Sequence, residues 1–203
     1  MNQELADTIK AAMGNYPTTR RVYYEAVFVS VYDYLDSSEA ITKYKNAFRL
    51  ATTNAFLSAA EIGWEDGGGK LPLDPMVIEW LSGMQAAEYA NIDVLFVSLR
   101  ALRTSGDEVE KVNIATKRAE GYSETLDLIY NYAKVAAAKN KMLTFVGEDG
   151  KESCSDCRKY KNKRHRAKWW IDHDAVPPNR GFECKGYNCQ HVLVDDNGMV
   201  WTL

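Results

Sequence analysis

The sequence predicts a mainly α protein: a helical N-terminal body of residues 1–140, then a small α+β module of residues 141–203 stapled by its cysteines and closed by a β-hairpin. Three observations predict it. Apolar residues recur every three or four positions through most of the first 140 residues, as in helices with one buried stripe. All four cysteines, Cys154, Cys157, Cys184 and Cys189, fall in the last 50 residues. After His191, short apolar runs flank an Asn197-Gly198 pair, which reads as strand, turn and strand.

Composition narrows the class. The chain has 203 residues, 46% hydrophobic and 26% charged, with 25 Lys and Arg against 28 Asp and Glu and a net charge of −3. That balance excludes wholesale disorder, collagen-like repeats and a polycationic nucleic-acid coat. Ordering a residue costs on the order of 1.5 kcal/mol, and a chain of this length can bury enough apolar area to offset that in one or two domains. Charge is uneven: from Lys151 onward there are 10 cations and 7 anions, net +3, and before it 15 against 21, net −6. The start, Met1-Asn2-Gln3-Glu4, has no basic and apolar leader, and no window of about 18 uninterrupted apolar residues occurs, so neither Sec-dependent secretion nor a membrane partner is expected.

The elements follow in order. Residues 17–36 are rich in Val and Tyr, which favour strands, but the run is long for one strand and its neighbours are helical, so a helix is expected. Ser37 or Ser38 is expected to cap the next helix, with Ile41, Tyr44, Phe48, Ala51, Phe56, Ala59 and Ile62 on one face, ending at a flexible connection of Gly67, Gly68 and Gly69. That triplet lacks the Lys-Ser or Lys-Thr of a phosphate-cradling loop. Asp74-Pro75 reads as an N-cap and a proline at N1, where its missing N–H removes no helical bond. The stripe behind it, from Met76 to Leu99, continues to about Arg103, and Gly106 breaks it. Asp107 opens a further helix, with Glu108 and Glu110 facing the positive end of its dipole. Leu143 to Val146 is a short strand, and Glu148-Asp149-Gly150 a turn.

Cys154-x-x-Cys157 and Cys184-x4-Cys189 are separated by 26 residues. Two short-spaced thiol pairs suit a tetrahedral ion, because each pair can turn both sulfurs toward one point and the distant pair closes the shell. A structural Zn²⁺ is expected, supplying much of the stability of the 141–203 segment. His191, two residues after Cys189, can replace one thiolate, which leaves open which four of Cys154, Cys157, Cys184, Cys189 and His191 bind. A disulfide framework would need an oxidising compartment, and a thioredoxin-like pair would need a helix behind the first cysteine, where Arg158-Lys159-Tyr160-Lys161 offers no apolar stripe.

Between the pairs lie seven cations within eleven residues, among them Lys161, Lys163, Arg164, Arg166 and Lys168, followed by Trp169-Trp170. These are candidates for nucleic-acid contact, phosphates on the cations and bases on an aromatic, in a loop. The plainer reading is a solvated loop whose tryptophans cover a metal-bound core.

The run Cys154-x-x-Cys157, His165-x-Ala167-x-x-Trp170, Pro178 and Phe182-Glu183-Cys184-x-Gly186-Tyr187-x-Cys189-x-His191 resembles the C-terminal cysteine module of the head-morphogenesis, or minor head, proteins of tailed bacteriophages. The resemblance covers about residues 130–195, and the helical body agrees in character. It implies a non-enzymatic structural role in the virion, with assembly in the host cytoplasm, and other phage head proteins as partners, the portal or major capsid protein among them. Where that family commonly closes on Cys-x-Cys, His191 stands here. Two alternatives compete: a zinc-containing nucleic-acid-binding module, and an HNH-like nuclease, which Ile171-Asp172-His173 between cysteine pairs resembles. The ten residues from His173 to Cys184, with Pro177, Pro178 and Gly181 among them, leave no room for the helix such a nuclease needs.

Overall fold

A computed structural model describes residues 15–103, 107–147, 153–186, 189 and 191–202. The expected leader-free start, the break at Gly106 and the turn at Glu148-Asp149-Gly150 lie outside those residues. Among the described residues there are four long helices: α1 (Tyr16–Asp36), α2 (Ile41–Asp66), α3 (Pro75–Leu99) and α4 (Glu108–Ala137). They are followed by β1 (Met142–Val146), the short helix α5 (Ser155–Tyr160), β2 (Arg164–Arg166), the short helix α6 (Ala167–Asp172) and β3 (Val192–Asp195). Among the described residues, no helix is long and apolar enough to cross a membrane.

The helix starts follow side-chain chemistry. Asn15 caps α1, its Oδ1 accepting from the Thr18 N–H at 3.0 Å, and Pro17 sits in the first turn where no helical partner is lost. Thr19, Tyr23, Val27, Ser30, Val31 and Tyr34 are all buried on one face, each three or four residues from another of the set, so the helical face decides the conformation against the strand propensity of the valines and tyrosines. Asp74 accepts from the Met76 N–H at 3.1 Å and Asp107 from the Glu110 N–H at 2.8 Å, as their positions require. Ser37 and Ser38 do not cap α2, which begins later, at Ile41. Ser37 instead closes α1, and its hydroxyl oxygen accepts from the Glu39 N–H at 2.9 Å.

The three glycines after α2 are a tight stop, not a flexible connection. Gly69 N–H reaches back to the Trp64 carbonyl at 2.8 Å and Gly68 N–H to Glu65 at 2.9 Å, a Schellman ending whose left-handed residue is Gly68 (φ +89°). A side chain at Gly67 would put its Cβ 2.2 Å from the Lys134 carbonyl oxygen. Close backbone packing therefore selects glycine there.

The chain folds into two compact units. The first is built from Met1–Ala59 and Ile78–Leu126. Its core is aromatic and edge-on: Tyr34 meets Phe96 at 5.0 Å between ring centres and Phe48 meets Tyr122 at 4.8 Å. The second is built from Ala60–Val77 and Asp127–Leu203, so it is larger than the 141–203 segment. The end of α4 belongs to it because Asn131 donates to the Pro177 carbonyl at 3.2 Å and the Lys134 ammonium lies 5.4 Å over the Trp201 ring.

In the second unit β1 is the central strand of an antiparallel sheet of order β2-β1-β3, with Leu143 opposite His165 and Phe145 opposite Leu193. Leu143, Phe145 and Leu193 are fully buried on one face, beside Trp170, whose indole N–H donates to the Leu143 carbonyl at 3.2 Å. The expected terminal hairpin is present and short: Val194 bridges Val200, the Asp195 N–H donates to the Met199 carbonyl at 3.0 Å and the Trp201 N–H to the Leu193 carbonyl at 2.7 Å. Its turn is not type I′, since of Asn197 and Gly198 only Gly198 takes a positive φ (+76°). The cause is Asp195, whose Oδ1 accepts from the N–H of Asn197 (2.9 Å) and Met199 (3.0 Å), holding a three-residue loop with glycine in its left-handed place.

Asp195 also pairs with Lys141 at 3.0 Å and accepts from the Trp201 indole at 3.2 Å. The Lys141 ammonium, with the N–H groups of Met199, Trp201 and Asn197, holds its carboxyl down to about 2 against burial. A group depressed in the folded state stabilises it above the unfolded value of 3.8, and that contribution is lost as pH falls toward 2. The expected result is that the stability gap between wild type and Asp195→Asn, read by thermal melts, is constant above about pH 5 and closes toward pH 2.

Candidate metal centre

The first thiol pair is set by α5. Cys154 is its N-cap, with Sγ accepting from the Cys157 N–H at 3.4 Å, which folds the two cysteines onto the same end. The sequence predicts no helix here because it shows no apolar stripe. Six residues need none, and Cys157 and Tyr160, three apart and both buried, are the whole apolar face.

The Cys184 segment is a turn. Lys185 donates its N–H to the Phe182 carbonyl at 2.8 Å, and Lys185 (φ +56°) and Gly186 (φ +76°) are left-handed in succession. Phe182 stacks on Tyr160 with ring centres 5.5 Å apart, which sets this turn against α5. Cys189 and His191 lead into β3. The His191 ring is buried, stacked 5.3 Å from Phe145 on β1. Gly147 lets it lie there, because a Cβ at that position would stand 2.3 Å from the imidazole Cδ2.

The five donors expected from the sequence converge. The sulfurs of Cys154, Cys157 and Cys184 lie within 4.8 Å of one another, and so do the donor atoms of Cys157, Cys189 and His191. Cys157 belongs to both groups and is buried, while Cys154, Cys184 and Cys189 are half-buried. Tetrahedral zinc with Zn–S bonds of about 2.3 Å places sulfurs about 3.8 Å apart, so small side-chain rotations close either group on an ion. The cluster can hold a metal ion. Its donors are sulfur and imidazole nitrogen, which suit a borderline or soft cation over the oxygen-seeking Ca²⁺ and Mg²⁺.

Burial and neighbouring groups set the charge these thiols carry. Burial, then the neighbouring thiols, push the Cys157 thiol far up, and burial raises Cys189. At Cys154 burial is outweighed by hydrogen bonds from the Cys157 and Cys184 backbones and thiols, which hold it below the ordinary value. A bound cation would supply the positive charge that lets the raised thiols ionise, and its binding would release their protons.

A second set of contacts near the cluster involves no sulfur and is not visible in the spacing of the cysteines. Glu183 Oε2 accepts from the Ser155 N–H at 3.0 Å and from its hydroxyl at 2.9 Å, and the Glu183 N–H donates to Asp156 Oδ2 at 2.9 Å. The Ser155 N–H and hydroxyl hold the Glu183 carboxyl below its usual range.

The candidate nucleic-acid residues do not all lie on one loop. They run through the turn after α5, along β2 and into α6. Arg164 forms a forked pair with Asp196 at 2.7–3.0 Å, Lys168 contacts Asp172 at 2.6 and 2.9 Å, and Arg166 donates to Asn140 Oδ1 at 3.0 Å. Lys163 lies 5.8 Å over the Tyr160 ring, and Lys161 is half-buried. The two tryptophans part company: Trp170 is fully buried, and Trp169 is sandwiched between His165 at 3.7 Å and His173 at 3.9 Å. The His173 Nδ1 lies 2.9 Å from the Trp169 carbonyl oxygen, and neither His165 nor His173 belongs to the two donor groups.

The chain matches no family model, no curated protein and no solved structure.

Proposed function

We propose that this chain is a structural assembly protein of a tailed-phage head, of the minor head or head-morphogenesis kind, in which a Zn²⁺ ion staples the cysteine-bearing unit into a rigid docking element. The observation that carries the reading is the gathering of Cys154, Cys157, Cys184, Cys189 and His191, the same residues that bear the resemblance to the phage family. When bound, zinc supplies charge compensation and a cross-link between segments distant in sequence. The residues of this chain do the rest: α5 presents Cys154 and Cys157, the Phe182 turn brings in Cys184, and β1 seats His191 through Phe145. The role is non-enzymatic, the partners are other head proteins such as the portal or major capsid protein, and the place is the virion after assembly in the host cytoplasm.

The test has two arms. Elemental analysis of the purified chain should give one zinc per chain. Co-expressed with portal and major capsid proteins, it should co-sediment with the assembled particle and show no nuclease turnover with Mg²⁺ or Mn²⁺. Metal-dependent nicking of plasmid DNA lost on changing His173 would overturn the reading in favour of a nuclease. DNA affinity that collapses with salt and with neutralisation of Lys161, Lys163, Arg164, Arg166 and Lys168, without particle association, would favour a nucleic-acid module.

A further inference from the structure

Cys184 reaches the Cys154-Cys157 pair across 26 intervening residues, and closing that loop carries an entropic cost whether or not an ion is present. A metal that had to gather its ligands from an open chain would meet that cost at the moment of binding. The Ser155, Asp156 and Glu183 contacts change this. They join the residue after Cys154, the residue before Cys157 and the residue before Cys184, and they work in both directions: a carboxylate from the second segment takes a backbone N–H and a hydroxyl of the first, and a carboxylate of the first takes a backbone N–H of the second. Ser155 is the first residue of α5, where the N–H has no helical partner, so Glu183 satisfies a donor that the helix leaves open. The stacking of Phe182 on Tyr160 fixes the same two segments from the apolar side. None of these contacts uses a sulfur atom.

We propose that Glu183 is a positioning residue of the metal centre: with Ser155 and Asp156 it forms a metal-independent clasp that holds Cys184 against Cys154 and Cys157, so that the three-thiol half of the site stands assembled before the ion arrives. Cys189 or His191 then completes the shell. This rests on the reading of the cluster as a metal site. The clasp acts on the ligands through the chain that carries them, in the way groups outside a coordination shell orient it, and removing such groups weakens metal affinity by about 10- to 100-fold.

The experiment uses the full chain, stripped of metal and kept reduced, titrated with Co²⁺ while thiolate-to-cobalt absorption is followed, with a competing chelator to fix the affinity. Glu183→Ala, at an exposed position, should bind Co²⁺ about 10- to 100-fold more weakly. Glu183→Gln, which keeps an acceptor oxygen, should fall between it and wild type, and the near-ultraviolet signal of the buried Trp170 should be unchanged in both. Hydrogen exchange on the metal-free wild type should show the Ser155 and Glu183 amides protected, and Glu183→Ala, which removes the carboxylate that accepts from Ser155, should release the Ser155 amide. If Glu183→Ala disturbs the fold, Ser155→Ala, which removes the hydroxyl donor only, decides by the same titration. Wild-type affinity within twofold in these variants, or unprotected amides in the metal-free wild type, overturns the clasp. Absence of any thiolate–cobalt band in the wild type overturns the metal reading on which the clasp rests, and the exchange data then report on the hydrogen bonds separately.

Discussion

Cys157→Ser is expected to abolish stoichiometric metal binding, whereas Cys189→Ser and His191→Ala should leave a weakened site. Cys157 is the donor common to both groups, and a serine hydroxyl in its buried position is no substitute for a thiolate. Loss of Cys189 or His191 leaves the Cys154, Cys157 and Cys184 group with one remaining partner to complete four-coordination. Elemental analysis after dialysis against a mild chelator reads the difference: one ion per chain for wild type, none for Cys157→Ser, an intermediate amount for the others. The sequence predicts that the ion supplies much of the stability of residues 141–203. The fully buried Leu143, Phe145, Trp170 and Leu193, which are not donors, add an apolar core of their own. Zinc-binding energies in small modules are on the order of 10 kcal/mol, so the variant should melt at a markedly lower temperature while the helical signal of the first unit is retained.

Trp170→Ala is the second large effect, and it falls on folding itself. The indole is fully buried, lies 5.8 Å from Phe145 and 6.0 Å from Tyr160 by ring centres, and donates to the Leu143 carbonyl of the central strand. Truncation removes those contacts and the indole hydrogen bond and opens a cavity, a loss of about 3–5 kcal/mol. Domains are stable by only about 5–15 kcal/mol, so urea unfolding should shift most or all of the transition of the second unit. Trp170→Phe fills most of the space and loses the hydrogen bond, and should lose about 1–2 kcal/mol. An alanine variant as stable as wild type would show that this ring does not hold the sheet to α6.

What was legible in the sequence is what local chemistry decides. Asp74-Pro75 and Asp107 start helices because a carboxylate beside open N–H groups acts within one turn. The cysteine spacing brings its donors together because short-spaced pairs have few ways to turn. What was not legible depends on partners far along the chain. The glycine triplet reads as flexible until the Lys134 carbonyl stands against Gly67. The type I′ turn expected of Asn197-Gly198 gives way to Asp195, which takes the turn N–H groups itself. The cation-rich stretch reads as a loop because β2 has three residues and α6 six, too short for either periodicity to show. Glu183 looks like any surface acid, and only its position opposite Ser155 distinguishes it.

The histidine–tryptophan–histidine stack limits how this surface could grip a polynucleotide. With imidazoles against each face of Trp169, the ring has no free plane to offer a nucleobase, and Trp170 is out of reach in the interior. A strand lying along β2 and α6 would be held through its sugar-phosphate rail, blind to the order of its letters.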